Sequence, residues 1–351
     1  MESKKQLFVL EEPFRLESGA ILPRLEIAYH SYGTLSADRD NVVWIYHALT
    51  ANSDPATWWP DVVGEGKALD PSRHFIICGN ILGSCYGSSG PLSINPGTGD
   101  LWYSRFPEVT IRDTVRAFSL LRDSLGIERI KLGVGASLGG QQCLEAAIRE
   151  QDVFENLLLI ATNAAHSPWG IAWNAAQRMA IQADPTWKDN SPQAGRKGLA
   201  AARAQAMLSY RSYETYRHTQ SEKDDETQRD FLADSYQRYQ GEKLVKRFNA
   251  HSYLLLSRAM DSHNIGRGRE SRESALQRIR ARTLVVGISS DLLFPVHEQR
   301  FLASRIPDAR YREITSPFGH DGFLIEGEKI AQIIGQELKE TQHTSAKYQY
   351  A

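Results

Sequence analysis

Three cysteines in 351 residues, Cys78, Cys85 and Cys143, are too few and too odd in number for a disulfide framework. None sits in a C-x-x-C pair, which argues against a structural zinc site. Cys143 reads as a small apolar core residue. Long apolar runs are also missing: no stretch of about 18 such residues occurs, so none is long enough to span a membrane. The opening Met1-Glu2-Ser3-Lys4-Lys5 lacks the apolar segment of a signal peptide, and a reducing cytoplasm is the expected setting. Charge of one sign is lacking as well. The formal net charge of -1 offers no electrostatic footprint for nucleic acid or an anionic membrane. Internal repeats and low-complexity linkers are absent.

What is present suits a globular enzyme. A composition of 41% hydrophobic and 24% charged residues can build an ordinary core. Short apolar, β-branched runs recur at Val42–Tyr46, His74–Cys78, Ile130–Val134, Leu157–Ala161 and Thr283–Ile288, and they read as buried strands. An amphipathic helix opens with the capping box Thr110-x-x-Asp113. It continues through Val115, Phe118, Leu121 and Leu125, and Gly126 is placed to end it. Strand and helix alternate, so the expected class is α/β, with a mainly parallel sheet covered by helices on both faces.

The texture changes after Thr162. From Asn163 to about Arg280 the chain lacks strong strand runs and carries helical stretches such as Ala172–Ala180 and Gly198–Ser209. Asp189–Pro192 and His263–Gly266 read as loops between them. We therefore expect an α/β core of residues 1–162 plus 281–351, interrupted by a helical lid at 163–280.

One motif carries chemistry. Strand Ile130–Val134 runs into Gly135-Ala136-Ser137-Leu138-Gly139-Gly140, followed by a helical pattern from Gln141 to Arg149. This is G-x-S-x-G in strand–turn–helix context, the setting that lifts a serine oxygen above a sheet. The glycines allow a turn too tight for side chains. A phosphate loop is the competing reading, but no Lys follows at the required position. A serine hydroxyl needs a base, and the base needs an orienting acid. Asp291 follows strand Thr283–Ile288, although an Asp at a strand end also reads as a turn or cap residue. His320 follows a short strand at Tyr311–Ile314, in a loop eased by Gly319 and Gly322, ahead of a closing helix at Gly327–Leu338. The order Ser, Asp, His is that of α/β-hydrolases. For the oxyanion we expect the N–H of Leu138 and that of Leu49 or Thr50, the latter two on the loop after Val42–Tyr46. His47, ahead of the nucleophile at a strand end, reads as structural.

Longer strings then carry a resemblance. His47-Ala48-Leu49-Thr50, Gly79–Pro91, Ser93-Ile94-Asn95-Pro96, Phe106–Asp113, Ser290–Pro295 and Ser316–Leu324 resemble segments of homoserine O-acetyltransferases, over about Pro23 to Glu337. Ala136-Ser137-Leu138 departs from the family's Gly-Ser-Met but keeps the serine and both glycines. The resemblance implies a ping-pong transfer of acetyl from acetyl-CoA to the hydroxyl of L-homoserine, an early step towards methionine. No permanently bound cofactor or metal is implied. It also implies that Arg178 binds the substrate carboxylate and Asp321 its ammonium, and that lid helices form a homodimer. Tyr236 and Lys243 match a further family string with no role assigned. The alternatives are succinyl-CoA as donor, L-serine as acceptor, a serine esterase, or a non-catalytic scaffold.

Overall fold

The structure is a computed structural model that describes residues 4–348. Residues 1–3 and 349–351, and with them the extreme ends of the expected leader-free start and polar tail, lie outside the described residues. The chain begins with β1 (Lys4–Leu10), a small hairpin of β2 (Phe14–Arg15) and β3 (Ile21–Leu22), β4 (Leu25–Tyr32) and β5 (Val42–Tyr46). A single helical turn, α1 (Pro55–Trp58), precedes β6 (Phe75–Gly79). Then come α2 (Ile111–Ser124), β7 (Leu132–Ala136), α3 (Leu138–Arg149) and β8 (Asn156–Ile160). After β8 the chain runs through α4 (Pro168–Gln182), α5 (Arg196–Tyr210), α6 (Tyr213–Thr219), α7 (Leu232–Val245), α8 (Ala250–Asp261) and α9 (Arg272–Leu276) before it re-enters the sheet. It closes with β9 (Arg282–Ile288), α10 (Val296–Arg305), β10 (Ala309–Ile314), α11 (Gly322–Ile325) and α12 (Gly327–Tyr348).

Eight strands form one sheet in the order β1-β4-β6-β5-β7-β8-β9-β10. From β6 to β10 every pairing is parallel, while β1 and β4 add an antiparallel edge. The central parallel strands β5, β6 and β7 are apolar because both of their faces are covered, whereas the edge strand β10 is polar and partly exposed. Val42, Trp44 and Tyr46 pack with Phe118, Leu121 and Leu144 on one side. Val43 and Ile45 point the other way, into a cluster with Ile330 and Ile334 of α12. The antiparallel edge was not legible in advance. Lys4–Leu10 is largely exposed, so it carries no strong apolar signal.

Local signals placed α2 closely. Asp113 N–H donates to Thr110 Oγ1 at 3.2 Å, and Thr110 N–H donates back to Asp113 Oδ2 at 3.0 Å. Gly126, at φ 65, follows the C-cap residue Leu125. The strand leading to Ser137 lies two residues later than its apolar run suggests, at Leu132–Ala136 rather than 130–134. Gly133 and Gly135 dilute its hydrophobic signal, yet the strand is buried along its whole length.

Candidate active site

β7 ends at Ala136 and α3 begins at Leu138, so Ser137 alone makes the turn, at φ 57 and ψ -128. Such a backbone is strained for a side-chain-bearing residue and persists only where its surroundings hold it. Here they do. Ser137 N–H donates to Ile160 O at 3.0 Å, and Thr162 Oγ1 donates to Ser137 O at 2.9 Å. A Cβ on Gly139 would lie 2.0 Å from Tyr46 O, and one on Gly135 would lie 2.2 Å from Gly139 O. Glycine is therefore a packing requirement at both positions, because backbone atoms cannot swing aside.

Three side chains distant in sequence meet at this turn. Ser137 Oγ is 2.8 Å from His320 Nε2, and His320 Nδ1 is 2.7 Å from Asp291 Oδ2. Asp291 spends its other oxygen on the backbone, accepting from Leu293 N–H and Phe294 N–H at 2.8 Å each. The carboxylate is thus fixed as an acceptor, Nδ1 must carry the ring proton, and Nε2 is left free to accept from Ser137 Oγ. The imidazole is held by aromatic rings as well. Phe294 stacks on it with centroids 5.0 Å apart, and Phe323 meets it edge-on at 5.4 Å. Trp59 Nε1 donates to Phe323 O at 3.0 Å and pins the turn that carries His320. This arrangement can raise the nucleophilicity of one hydroxyl and shuttle one proton.

A cavity of about 380 Å³ opens onto Ser137 and His320. Leu49 and Thr50 line it, on the loop following β5. Leu138 is the first residue of α3, so its N–H is one of the unpaired first-turn donors at the positive end of that helix. The loop is braced from behind by His47. Ile81 N–H donates to His47 Nε2 at 3.1 Å, leaving Nδ1–H to donate to Ala48 O at 2.9 Å. Burial lowers the His47 pKa to about 4, so the ring is neutral. Its place in the fold is structural, away from the cavity lining.

Asp321 lines the cavity beside His320, with Oδ2 3.2 Å from Arg211 Nε. Arg178 does not line it. Its Nη2 lies 2.6 Å from Asp261 Oδ2 and its Nη1 donates to Ser257 Oγ at 3.1 Å, tying α4 to α8. Arg178, expected at a substrate carboxylate, is here paired with the Asp261 carboxylate and lies off the cavity wall. The cationic residues on the cavity wall are instead Arg203, Lys243 and Arg247. Arg203 carries no local signal: it is one of two arginines on the Ala-rich α5, and only tertiary packing brings it to the cavity. Its guanidinium lies over the Tyr210 ring, 5.2 Å from the centroid. Arg247 donates to Thr50 O and, at 2.7 Å, to Tyr86 Oη, so it also braces the loop after β5.

A carboxyl group behind Asp291 was not anticipated either. Glu298 accepts from Asn163 Nδ2 at 3.0 Å, and Asn163 Oδ1 accepts from Gln141 Nε2 at 3.0 Å in α3. Burial, with the Asp291 charge adding to it, raises the Glu298 pKa to about 7.

Sheet order, strained serine turn and bracketing helices define the class as an α/β-hydrolase. A family model described as the alpha/beta hydrolase fold matches residues 41–326. Among curated relatives, a homoserine O-acetyltransferase of Cyclobacterium marinum is 47% identical over 334 residues, 95% of each chain. Of solved structures, a homoserine O-acetyltransferase from Bacillus anthracis aligns at TM-score 0.87 with 25% identity, over 96% of this chain and 98% of that one. An acetylester hydrolase from Corynebacterium glutamicum aligns at 0.85 with 25% identity, over 96% of both. The chain belongs to the homoserine O-acetyltransferase family and is an acyltransferase. The esterase neighbour means that the fold alone does not separate acyl transfer to an alcohol from transfer to water.

Proposed function

We propose that this chain transfers acetyl from acetyl-CoA to the hydroxyl of L-homoserine through an acetyl-Ser137 intermediate, on the route to methionine. The observation that carries this reading is the Ser137–His320–Asp291 relay at the floor of a cavity with cationic walls, in a chain 47% identical to a named homoserine O-acetyltransferase. His320 Nε2 takes the Ser137 proton as Oγ attacks the thioester carbon. The oxyanion accepts from Leu138 N–H and from Leu49 or Thr50 N–H. Collapse expels the thiolate of coenzyme A, which takes the proton from His320. His320 next deprotonates the homoserine hydroxyl. That oxygen attacks the acetyl carbon, and a second collapse restores Ser137. Asp291 holds the imidazole and balances its transient charge.

Homoserine needs one group of each sign. Asp321 suits its ammonium. Arg203, lining the same cavity, takes the role for the carboxylate that Arg178 cannot fill while bound to Asp261. Residues 163–280 act as the lid, narrowing access so that the acyl-enzyme meets an alcohol before water. Leu208, Met179, Tyr213, Phe231 and Trp169, all large and exposed on α4–α7 or next to them, support a homodimer through the lid. The three free cysteines fit a reducing cytoplasm.

The test is thiol release from acetyl-CoA by purified protein, with and without L-homoserine. Sustained release only with homoserine is expected. Equal release without acceptor makes the protein a hydrolase, as in its esterase neighbour, and release only from succinyl-CoA overturns the donor.

A further inference from the structure

Several half-buried arginines are paired within the fold: Arg112, Arg122, Arg178, Arg211 and Arg269 each lie within 4 Å of a carboxylate. Five cations clustered on or near α5 and α7 are not. Among the described residues, Arg196, Arg203, Lys243, Lys246 and Arg247 have no carboxylate at ion-pair distance. They are also contiguous in the architecture. Arg203, Lys243 and Arg247 line the cavity above Ser137. Arg247 lines a second cavity too, of about 230 Å³, together with Arg196 and Lys246. No Asp or Glu lines that second cavity.

The positive potential of this cavity comes from its side chains: the N-terminal turns of α5 and α8 that border it are already capped, Gly198 N–H donating to Asp184 Oδ2 at 2.9 Å and Ser252 N–H to Asn249 Oδ1 at 2.8 Å. Clustered cations repel one another and destabilise a surface unless an anion offsets them. An anion-sized hollow that abuts a catalytic cavity through a shared arginine calls for a ligand that is anionic at one end and reactive at the other.

We infer that the Arg196–Lys246–Arg247 cavity binds the phosphorylated nucleotide end of the acyl-CoA donor, while the thioester reaches Ser137 through the adjoining cavity. The inference rests on the acyl-CoA reading above and locates a part of the donor that the catalytic residues never touch. The pantetheine arm is the spacer: it separates the thioester from the phosphates, so a donor seated at Ser137 must place its phosphates beyond the first cavity. Arg247, bonded to Thr50 O, stands where the two ends would join. Arg and Lys suit phosphate oxygens, the guanidinium as a fork and the ammonium as a point charge.

The experiment compares two donors, acetyl-CoA and S-acetylpantetheine, which lacks the nucleotide. Arg196 and Lys246 are exposed, so the double variant Arg196→Gln/Lys246→Gln should fold. In that variant the ratio of kcat/KM for acetyl-CoA to that for S-acetylpantetheine should fall by about tenfold or more, through KM for acetyl-CoA. A general structural defect lowers both constants together; an unchanged ratio overturns the site. Calorimetry with adenosine 3′,5′-bisphosphate gives a readout independent of turnover. Wild type should bind it in a salt-sensitive manner and the double variant should bind it at least about tenfold more weakly. Absence of binding by wild type also overturns the site. If wild type releases no thiol from either donor, the acetyltransferase reading fails, and the bisphosphate titration alone then decides the anion site.

Discussion

Asp291→Asn isolates the part of the relay that fixes the histidine tautomer. In the wild type, Oδ1 accepts two backbone N–H groups and Oδ2 faces His320 Nδ1. An asparagine keeps the shape but has only one acceptor oxygen. If that oxygen stays with Leu293 and Phe294, the amide –NH2 faces Nδ1. Nδ1 must then be unprotonated, and the proton moves to Nε2, where the base for Ser137 should be. If the amide flips to serve Nδ1, two backbone donors lose their acceptor, at about 1–3 kcal/mol each. The flip therefore costs several kcal/mol, and the wrong tautomer dominates. A tautomer change of this kind lowers turnover about 10,000-fold in other serine triads, equivalent to about 5.4 kcal/mol of transition-state free energy. Stopped-flow thiol release reads the acylation step directly. Release in the presence of homoserine reads the complete cycle, and a thermal melt followed by circular dichroism confirms that the variant folds. A loss smaller than about tenfold in a folded variant would refute the claim that the two backbone donors dictate the orientation.

Two other predictions concern the arginines and the buried histidines. Arg203→Ala should raise KM for homoserine at least about tenfold with little change in folding stability, whereas Arg178→Ala should lower the stability by about 1–3 kcal/mol because half-buried Asp261 keeps only its hydrogen bond from Asn174 Nδ2. Urea titration and acceptor kinetics on both variants check this, and the reverse pattern would restore Arg178 to the substrate. Burial lowers the pKa of His47 and His166 to about 4 and of His263 to about 3. The unfolded chain takes up these protons near the ordinary value of about 6.5, before the folded chain does. The stability they contribute is therefore full above about 6.5 and is lost as the pH falls towards 4. Melting temperatures measured from pH 7 to 4.5 should decline steadily, and a flat profile would exclude these rings as the cause.

Much of the fold was readable from local physics. Val42–Tyr46 matched its strand end for end, because a strand buried on both faces must be apolar at every position. The α2 boundaries followed from one capping box and one glycine. β1 escaped because an exposed edge strand has no apolar pattern to display, and β7 was placed early because its two glycines carry no hydrophobic signal. The insertion was expected to be helical, with Ala172–Ala180 and Gly198–Ser209 lying inside α4 and α5, while α6, α7 and α8 were not placed individually. Their mutual packing was not legible.

The sequence by itself determined the nucleophile turn and the order of its partners. The need for glycine at 135 is local, since its clash is with Gly139 O in the same tight turn, whereas the need at 139 comes from Tyr46 O on the neighbouring strand β5. Only the tertiary structure decided which arginine lines the cavity over Ser137 and which one is consumed by a carboxylate. Arg178 and Arg203 both stand on Ala-rich helices. A charge reports nothing about its partner until the helices pack, and it was the contact of α4 with α8 that gave Arg178 to Asp261 and left Arg203 to the cavity.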